Sequence, residues 1–230
     1  LSFNFKNISN SILKVSKKQN GFSLIHAHFG QNGIAAIALK KKLNIPLITS
    51  FYGYDSGRLG TLFKPYYKQL AKHGDLFLAL SEDMKKDLIN LGFPNEKIKI
   101  HHLGINLSQF TPKDSLKDNF VYLVVARLDE PKGVQDVINS FNKIKHEKMQ
   151  LRIIGDGIYK SELVNLVDKL GLQKQVIFIN NFKANNPRQV VMDEMQNSDV
   201  VLLTSFMSKN GAKEGTPVVL MEAQACGKPC

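Results

Sequence analysis

Cysteine is scarce in this chain of 230 residues: only Cys226 and Cys230 occur, close together at the very end. Their C-x3-C spacing fits no common zinc or redox motif, and a buried, unreactive pair of thiols is the expectation. With so little cysteine, a reducing, cytoplasmic setting follows. Long apolar runs are also absent. No stretch approaches the ~20 residues of a membrane-spanning helix, and no signal-peptide pattern opens the sequence. Internal repeats and low-complexity tracts are lacking, as is a cluster of residues spaced to hold a metal. The chain starts at Leu1 rather than Met and stops where a buried strand should follow Gly227, so it reads as an internal piece of a longer protein.

What is present is ordinary in amount. Hydrophobic residues make up 43% and charged residues 22%, typical of a globular protein long enough for two small domains. The formal net charge of +11 is not ordinary. Such an excess suits nucleic acid, an anionic membrane surface or a polyphosphate ligand. The lysines occur only in short groups, such as Lys17 with Lys18, Lys40 to Lys42, and Lys85 with Lys86. No basic arm or RNA-reading aromatic motif accompanies them, which argues against nucleic acid. The basic surface permits peripheral contact with an anionic membrane.

Periodicity sets the architecture. A helical period over 8–19 is followed by apolar strands that each run into a polar turn: Leu24 to Gly30, Pro46 to Asp55, Asp75 to Ser81 and Ile98 to Gly104, with helices between them. Residues 106–119 have the composition of a linker, and the alternation restarts at Val121. Unbroken apolar strands alternating with helices predict an α/β protein with parallel sheets. The expected division is a partial domain over 1–105, a linker over 106–119 and a second partial domain over 120–230. Ligands of such sheets sit at the carboxyl ends of the strands. That directs attention to His26, His28, Gly30, Tyr52, Gly53, Asp55, Ser81 and Gly104 in the first domain.

In the second domain, Arg127 and Lys132 share one loop at a strand end, where a guanidinium fork and an ammonium can grip phosphate oxygens. Gly155, Asp156 and Gly157 follow the next strand. Lys160 breaks the full dinucleotide fingerprint, which leaves a glycine turn that a ligand can approach closely. Asn181 follows the strand after that, either as a plain turn or where a nucleobase meets the backbone. The segment Glu214, Gly215, Thr216, Pro217 leads into a short helix, with Thr216 suited to the N-cap and Pro217 to the first helical position. Its N-terminus suits a phosphate, and Glu214 and Glu222 flank it as acceptors for ligand hydroxyls. On their own, two glutamates eight apart also fit solvated surface acids. Phosphate and hydroxyls side by side point to a nucleotide sugar.

These motifs, in this order, resemble the retaining glycosyltransferases of family 4. The segments Val125 to Gly133, Ile154 to Gly157 and Glu214 to Glu222 carry the likeness, with Leu103 to Asn106 and Phe110 similar to that family's interdomain segment. The stretches His26 to Gly30 and Phe51 to Asp55 resemble its bacterial exopolysaccharide branch, which includes colanic-acid-type enzymes. The resemblance implies a GT-B fold, two Rossmann-like domains facing a cleft. It implies transfer of a sugar, with retention and without a metal or other cofactor, from a UDP-sugar or GDP-sugar to a saccharide or lipid-linked acceptor. By the same resemblance, Arg127 and Lys132 bind the donor diphosphate, Glu214 contacts the donor sugar and Glu222 binds the ribose hydroxyls. Tyr52 stands where many relatives carry a histidine near the donor sugar. That departure leaves a nucleotide-sugar-binding paralogue without turnover as one alternative; a sugar-nucleotide epimerase, which shares the two-domain GT-B plan, is another.

Overall fold

Each run of aliphatic residues that the sequence marks as a strand pairs in parallel with a neighbour of the same kind. The computed structural model describes residues 21–57, 60, 62–113, 118–181, 184–207 and 215–230. The helix expected over 8–19 lies outside the described residues, and so does Glu214. The chain divides into two α/β units, the first running to Leu103 and the second beginning at Gly104; Gly215 and Thr216 group with the first, and Pro217–Cys230 with the second.

In the first unit, β1 (Ile25–His28), α1 (Gly30–Leu43), β2 (Leu47–Ser50), α2 (Lys64–His73), β3 (Leu76–Ala79), α3 (Glu82–Asn90) and β4 (Ile98–Ile100) alternate as expected. The strands lie side by side in the order β1-β2-β3-β4, with Ile25 beside Leu47, Ile48 beside Leu76 and Phe77 beside Ile98. Helix ends follow local chemistry. α1 stops at Asn44 in the left-handed conformation two residues before Pro46, and α3 starts at Ser81, whose hydroxyl accepts a hydrogen bond from the Met84 N–H. The core includes Phe51, Tyr67, Phe77 and Phe93, buried edge to face with centroid separations of 5.3 Å for Phe51–Phe93 and 4.6 Å for Phe77–Phe93. Phe51 therefore anchors the chain directly before Tyr52.

The second unit comprises β5 (Phe120–Val125), α4 (Val134–Ile144), β6 (Met149–Ile154), α5 (Lys160–Lys169), β7 (Val176–Ile179), α6 (Pro187–Gln196), β8 (Val200–Leu202) and α7 (Val218–Ala225). Its parallel sheet has the order β7-β6-β5-β8. Side chains alternate across the sheet. Val124, Leu151 and Ile153 pack with residues of α4 and α5, whereas Leu123, Ile154 and Val201 pack with Met195 of α6 and Ala223 of α7. Both faces are covered, which explains why the strands read as unbroken apolar runs. Phe110, from the segment read as a linker, is 3% exposed in the second of these clusters.

α7 begins one residue later than the sequence suggests. Pro217 remains extended at ψ 98° and occupies the N-cap, and no side chain caps the first turn, so Thr216 is not the cap. The helix ends with the Gly227 N–H donating to Gln224 and the Lys228 N–H to Ala223, a Schellman closure. Of the two thiols expected to be buried, only Cys226 is; Cys230 lies beyond that closure and is exposed.

Candidate functional site

In a parallel sheet, every loop leaving a strand's carboxyl end emerges on the same edge, and the following helix starts there. In the second unit this edge gathers the Arg127 loop, the Gly155 turn, Asn181 and the start of α7. The Arg127 loop is held from both sides. Leu128, fully buried, anchors it with about 1.5–3 kcal/mol of hydrophobic burial. The Leu128 N–H donates to the Asp156 carbonyl at 2.9 Å, and the Leu128 carbonyl accepts from the Tyr159 N–H at 3.0 Å. On the other flank the Thr204 hydroxyl donates to the Gly133 carbonyl at 2.8 Å, and the Phe206 N–H to the Pro131 carbonyl at 2.9 Å.

This stitching gives Gly155 and Gly157 a different role from the expected one. A Cβ at Gly155 would lie 1.9 Å from the Ala126 carbonyl oxygen, and one at Gly157 would lie 2.3 Å from that of Leu128. What approaches these glycines is the chain's own backbone. Their absent side chains let the Arg127 loop lie against the turn.

Arg127 is exposed, and its Nε donates to Asp129 Oδ2 at 2.5 Å. Lys132 is half-buried at the far end of the same loop. Asn181 donates from Nδ2 to the Pro187 carbonyl at 3.5 Å, while its Oδ1 is buried without a hydrogen-bond partner among the described residues. An unpaired buried acceptor carries an energetic penalty that a ligand donor would relieve. Glu222, expected at the ribose, is 7% exposed on the second turn of α7, and its Oε1 accepts from Arg188 Nη2 at 2.9 Å. Gly215 is exposed, and Thr216 and Pro217 are half-buried, ahead of the uncapped α7 start.

The first unit has its own polar edge, at the ends of β1 and β2. His28 Nδ1 and the Tyr52 hydroxyl share a hydrogen bond at 2.5 Å, and the His26 ring stacks on His28 with centroids 4.5 Å apart. His26 Nε2 is 2.8 Å from Ser50 Oγ. Burial, then the neighbouring His28 and His101, hold the His26 imidazole below its ordinary value. Phe29, beside them, takes the uncommon φ of 71°.

Asp55 is not at the surface where a ligand would meet it. It is fully buried, and its two carboxylate oxygens accept from the Gly30 and Tyr52 N–H groups, each at 2.8 Å. Gly30 opens α1, and a Cβ there would lie 2.2 Å from the Tyr67 hydroxyl, so this position too is internal packing. The Tyr67 hydroxyl donates to the Asp55 carbonyl at 2.9 Å, and burial raises its phenol above the usual range. Burial likewise pushes the Asp55 carboxyl up, against the opposing effect of the N–H bonds it accepts. Asp55 thus ties together the two loops that carry His28 and Tyr52.

Two residues that sequence reasoning passed over belong to this picture, Asp129 and Arg188. Arg188 did leave a signal. It stands in the first turn of α6, just after Pro187, where the helix dipole disfavours a cation. An arginine at such a position calls for a compensating anion, and Glu222 supplies it.

Residues 108–230 match the family described as Glycosyl transferases group 1, and residues 4–109 match Glycosyltransferase Family 4. WcaL of Escherichia coli strain K12, whose name ties it to colanic acid biosynthesis, is 32% identical over 211 residues, 88% of this chain and 51% of its own length. The amylovoran biosynthesis glycosyltransferase AmsK of Erwinia amylovora is 32% identical over 227 residues, 95% of this chain and 55% of its own. The chain thus spans about half the length of the curated relatives it matches. Among solved structures, HepE of Anabaena, crystallised with UDP and glucose, has a TM-score of 0.77 at 20% identity, covering 99% of this chain and 63% of that one. The sucrose-phosphate synthase of Thermosynechococcus elongatus gives 0.79 at 18%, covering 98% and 59%. At these identities the structures share the fold, which is GT-B with two Rossmann-like, parallel-sheet domains. By the match over its second half and more, the chain belongs to the group 1 glycosyl transferases.

Proposed function

We propose that the protein of which this chain is part transfers a sugar from a nucleoside-diphosphate sugar to a saccharide or lipid-linked acceptor, in the synthesis of a cell-surface polysaccharide. The observation that carries this reading is the braced loop bearing Arg127 and Lys132 at the carboxyl edge of the second sheet. A loop fixed by backbone bonds on both flanks presents its cations without reorganising, which suits a diphosphate whose charge grows as the sugar departs. The α7 N-terminus adds a partial positive charge. In this reading Glu222 accepts ribose hydroxyls, Asn181 Oδ1 meets a ligand donor, and Glu214 contacts the donor sugar. The departing diphosphate is stabilised by protein cations, so no metal is required, and the transfer retains configuration. His28 and Tyr52 form a polar pair that handles a sugar hydroxyl in the first unit. The names of WcaL and AmsK support an exopolysaccharide product, and the UDP in HepE supports a uridine donor. The basic surface favours work at the inner face of the cell membrane, where a lipid-linked acceptor is found.

One observation favours a second reading. Tyr52 stands where the family resemblance implies a histidine near the donor sugar, and its hydroxyl is already engaged by His28; on this basis the protein binds a nucleotide sugar without turning it over. The experiment that separates the readings is nucleotide release by the full-length protein, with UDP-sugars and GDP-sugars offered with and without a cell-envelope lipid extract. Release that needs both a donor and the extract is the expected result. Release without acceptor would instead indicate hydrolysis or epimerisation, and binding without release would select the second reading.

A further inference from the structure

We infer that Arg188 is a positioning residue of the nucleotide site, holding Glu222 so that the site selects a ribonucleoside diphosphate over its deoxy forms. This inference rests on the nucleotide-sugar reading above and deepens it. Arg188 and Glu222 both belong to the second unit, on helices that start from the same carboxyl edge of its sheet.

Three observations converge. First, the Glu222 side chain is 9% exposed, and a carboxylate this buried requires a partner, which Arg188 Nη2 provides at 2.9 Å. Only Oε1 takes part; Oε2 has no hydrogen-bond partner among the described residues. A carboxylate offers about four acceptor directions, so an ion pair at one oxygen fixes the group and leaves the other able to accept hydroxyls. Second, the guanidinium is itself held. Its carbon lies 5.3 Å from the centroid of Phe110, a ring buried in the same core cluster as Ala223. Third, the backbone under Arg188 is fixed. Pro187 starts the helix, and the Asn186 side chain accepts from the Gln189 N–H at 3.2 Å.

A first-turn arginine works against the helix dipole. It stands here because it orients an acid that would otherwise turn toward solvent. Oriented in this way, Oε2 accepts the 2′- and 3′-hydroxyls of a ribose, and a sugar lacking one of them leaves that acceptor unpaired. Sites built to bond a hydroxyl reject analogues without it for this reason.

The test is calorimetric binding of UDP and GDP and of their 2′-deoxy and 3′-deoxy forms to the full-length protein, as wild type, Arg188→Met, Glu222→Gln and the double variant, each checked by thermal melting. The wild type should bind its ribonucleotide at least about tenfold more tightly than a deoxy form, the size of a lost charge-assisted hydrogen bond. Arg188→Met retains apolar packing on Phe110 and should bring that ratio close to one. Glu222→Gln should do the same, and the double variant should lose nothing further, because the two side chains act as one unit. Should Arg188→Met fail to fold, Arg188→Lys keeps the charge without the planar fork and should lower the ratio partway. A lowered melting temperature with the ratio intact would make Arg188 a helix tether only and overturn the inference. Absence of any nucleotide binding by the wild type would overturn the nucleotide-sugar reading and this inference with it.

Discussion

Replacing Gly155 by alanine tests whether the second sheet's edge is held by backbone packing. The added Cβ would lie 1.9 Å from the Ala126 carbonyl oxygen, whereas real contacts essentially never fall below 3.0 Å. Both partners are main chain, so no side chain can swing aside. Separating them strains two bonds, from the Ala126 N–H to Ile154 at 3.1 Å and from the Leu128 N–H to Asp156 at 2.9 Å. Losing both costs about 1–3 kcal/mol, and holding alanine at a φ of 153° adds about 1–3 kcal/mol. The combined loss of about 2–6 kcal/mol is a large share of the ~5–15 kcal/mol that holds a domain together. Gly171 provides the control. Its φ of 65° also disfavours alanine, but a Cβ there meets nothing within 4 Å, leaving only the backbone penalty of about 1–2 kcal/mol. Scanning calorimetry of the two variants, in which the units can melt as separate transitions, should show the Gly155→Ala transition well below that of Gly171→Ala. Equal losses would refute the packing argument and return Gly155 to the role of a ligand-facing turn.

Two further outcomes follow from the charged groups. The Asp55 carboxyl is raised by burial, so it holds its proton more tightly folded than unfolded; its contribution to stability is fully present below about 3.8 and is lost as pH rises through the folded value. The difference in urea midpoint between wild type and Asp55→Asn should therefore shift in favour of wild type as the pH falls from 7 toward 4, and the opposite slope would contradict the burial argument. Asp129→Asn removes a negative charge beside the proposed diphosphate, and on net charge alone it should tighten UDP binding. If the Arg127 Nε bond orients the guanidinium, affinity should fall several-fold instead, as titration calorimetry would read directly.

Much of the fold was legible because its signals are local. Val176 to Ile179, an apolar run between turn residues, became β7 residue for residue, and the helical stretch near 188–197 became α6. The edge carrying the candidate residues was legible for the same reason, since parallel strands place their polar turns together. What could not be read was the partner of each special residue. The pattern Gly155, Asp156, Gly157 suggests a ligand, yet the atoms it clears belong to Ala126 and Leu128, on the preceding strand's loop. Asp55 ends a strand in sequence, but its carboxylate is taken by the N–H of Gly30, 25 positions earlier. Thr216 and Pro217 illustrate a finer limit. Both suit a helix start, and the backbone angle of one proline decides which of them is the cap.

The residues proposed for chemistry share a design. Arg127 is engaged at Nε by Asp129, which leaves its two terminal nitrogens outside that pair; Glu222 is engaged at Oε1 by Arg188, which leaves Oε2 outside its own. In each case an opposite charge holds one end of a charged group and another part stays available. A lone exposed arginine would sample many rotamers and lose that freedom on binding, at about 0.5–1.5 kcal/mol for a side chain of this kind. A lone buried glutamate would face a desolvation penalty of several kcal/mol. Pairing reduces both losses before a ligand arrives. The same logic covers Tyr52, whose hydroxyl is held by His28 while its N–H is fixed by Asp55. Two loops on the first sheet, and the Arg127 loop and the Arg188–Glu222 pair on the second, are therefore set by interactions internal to their own unit. Under the proposed transfer, such preset groups would need little rearrangement to stabilise charge as it develops.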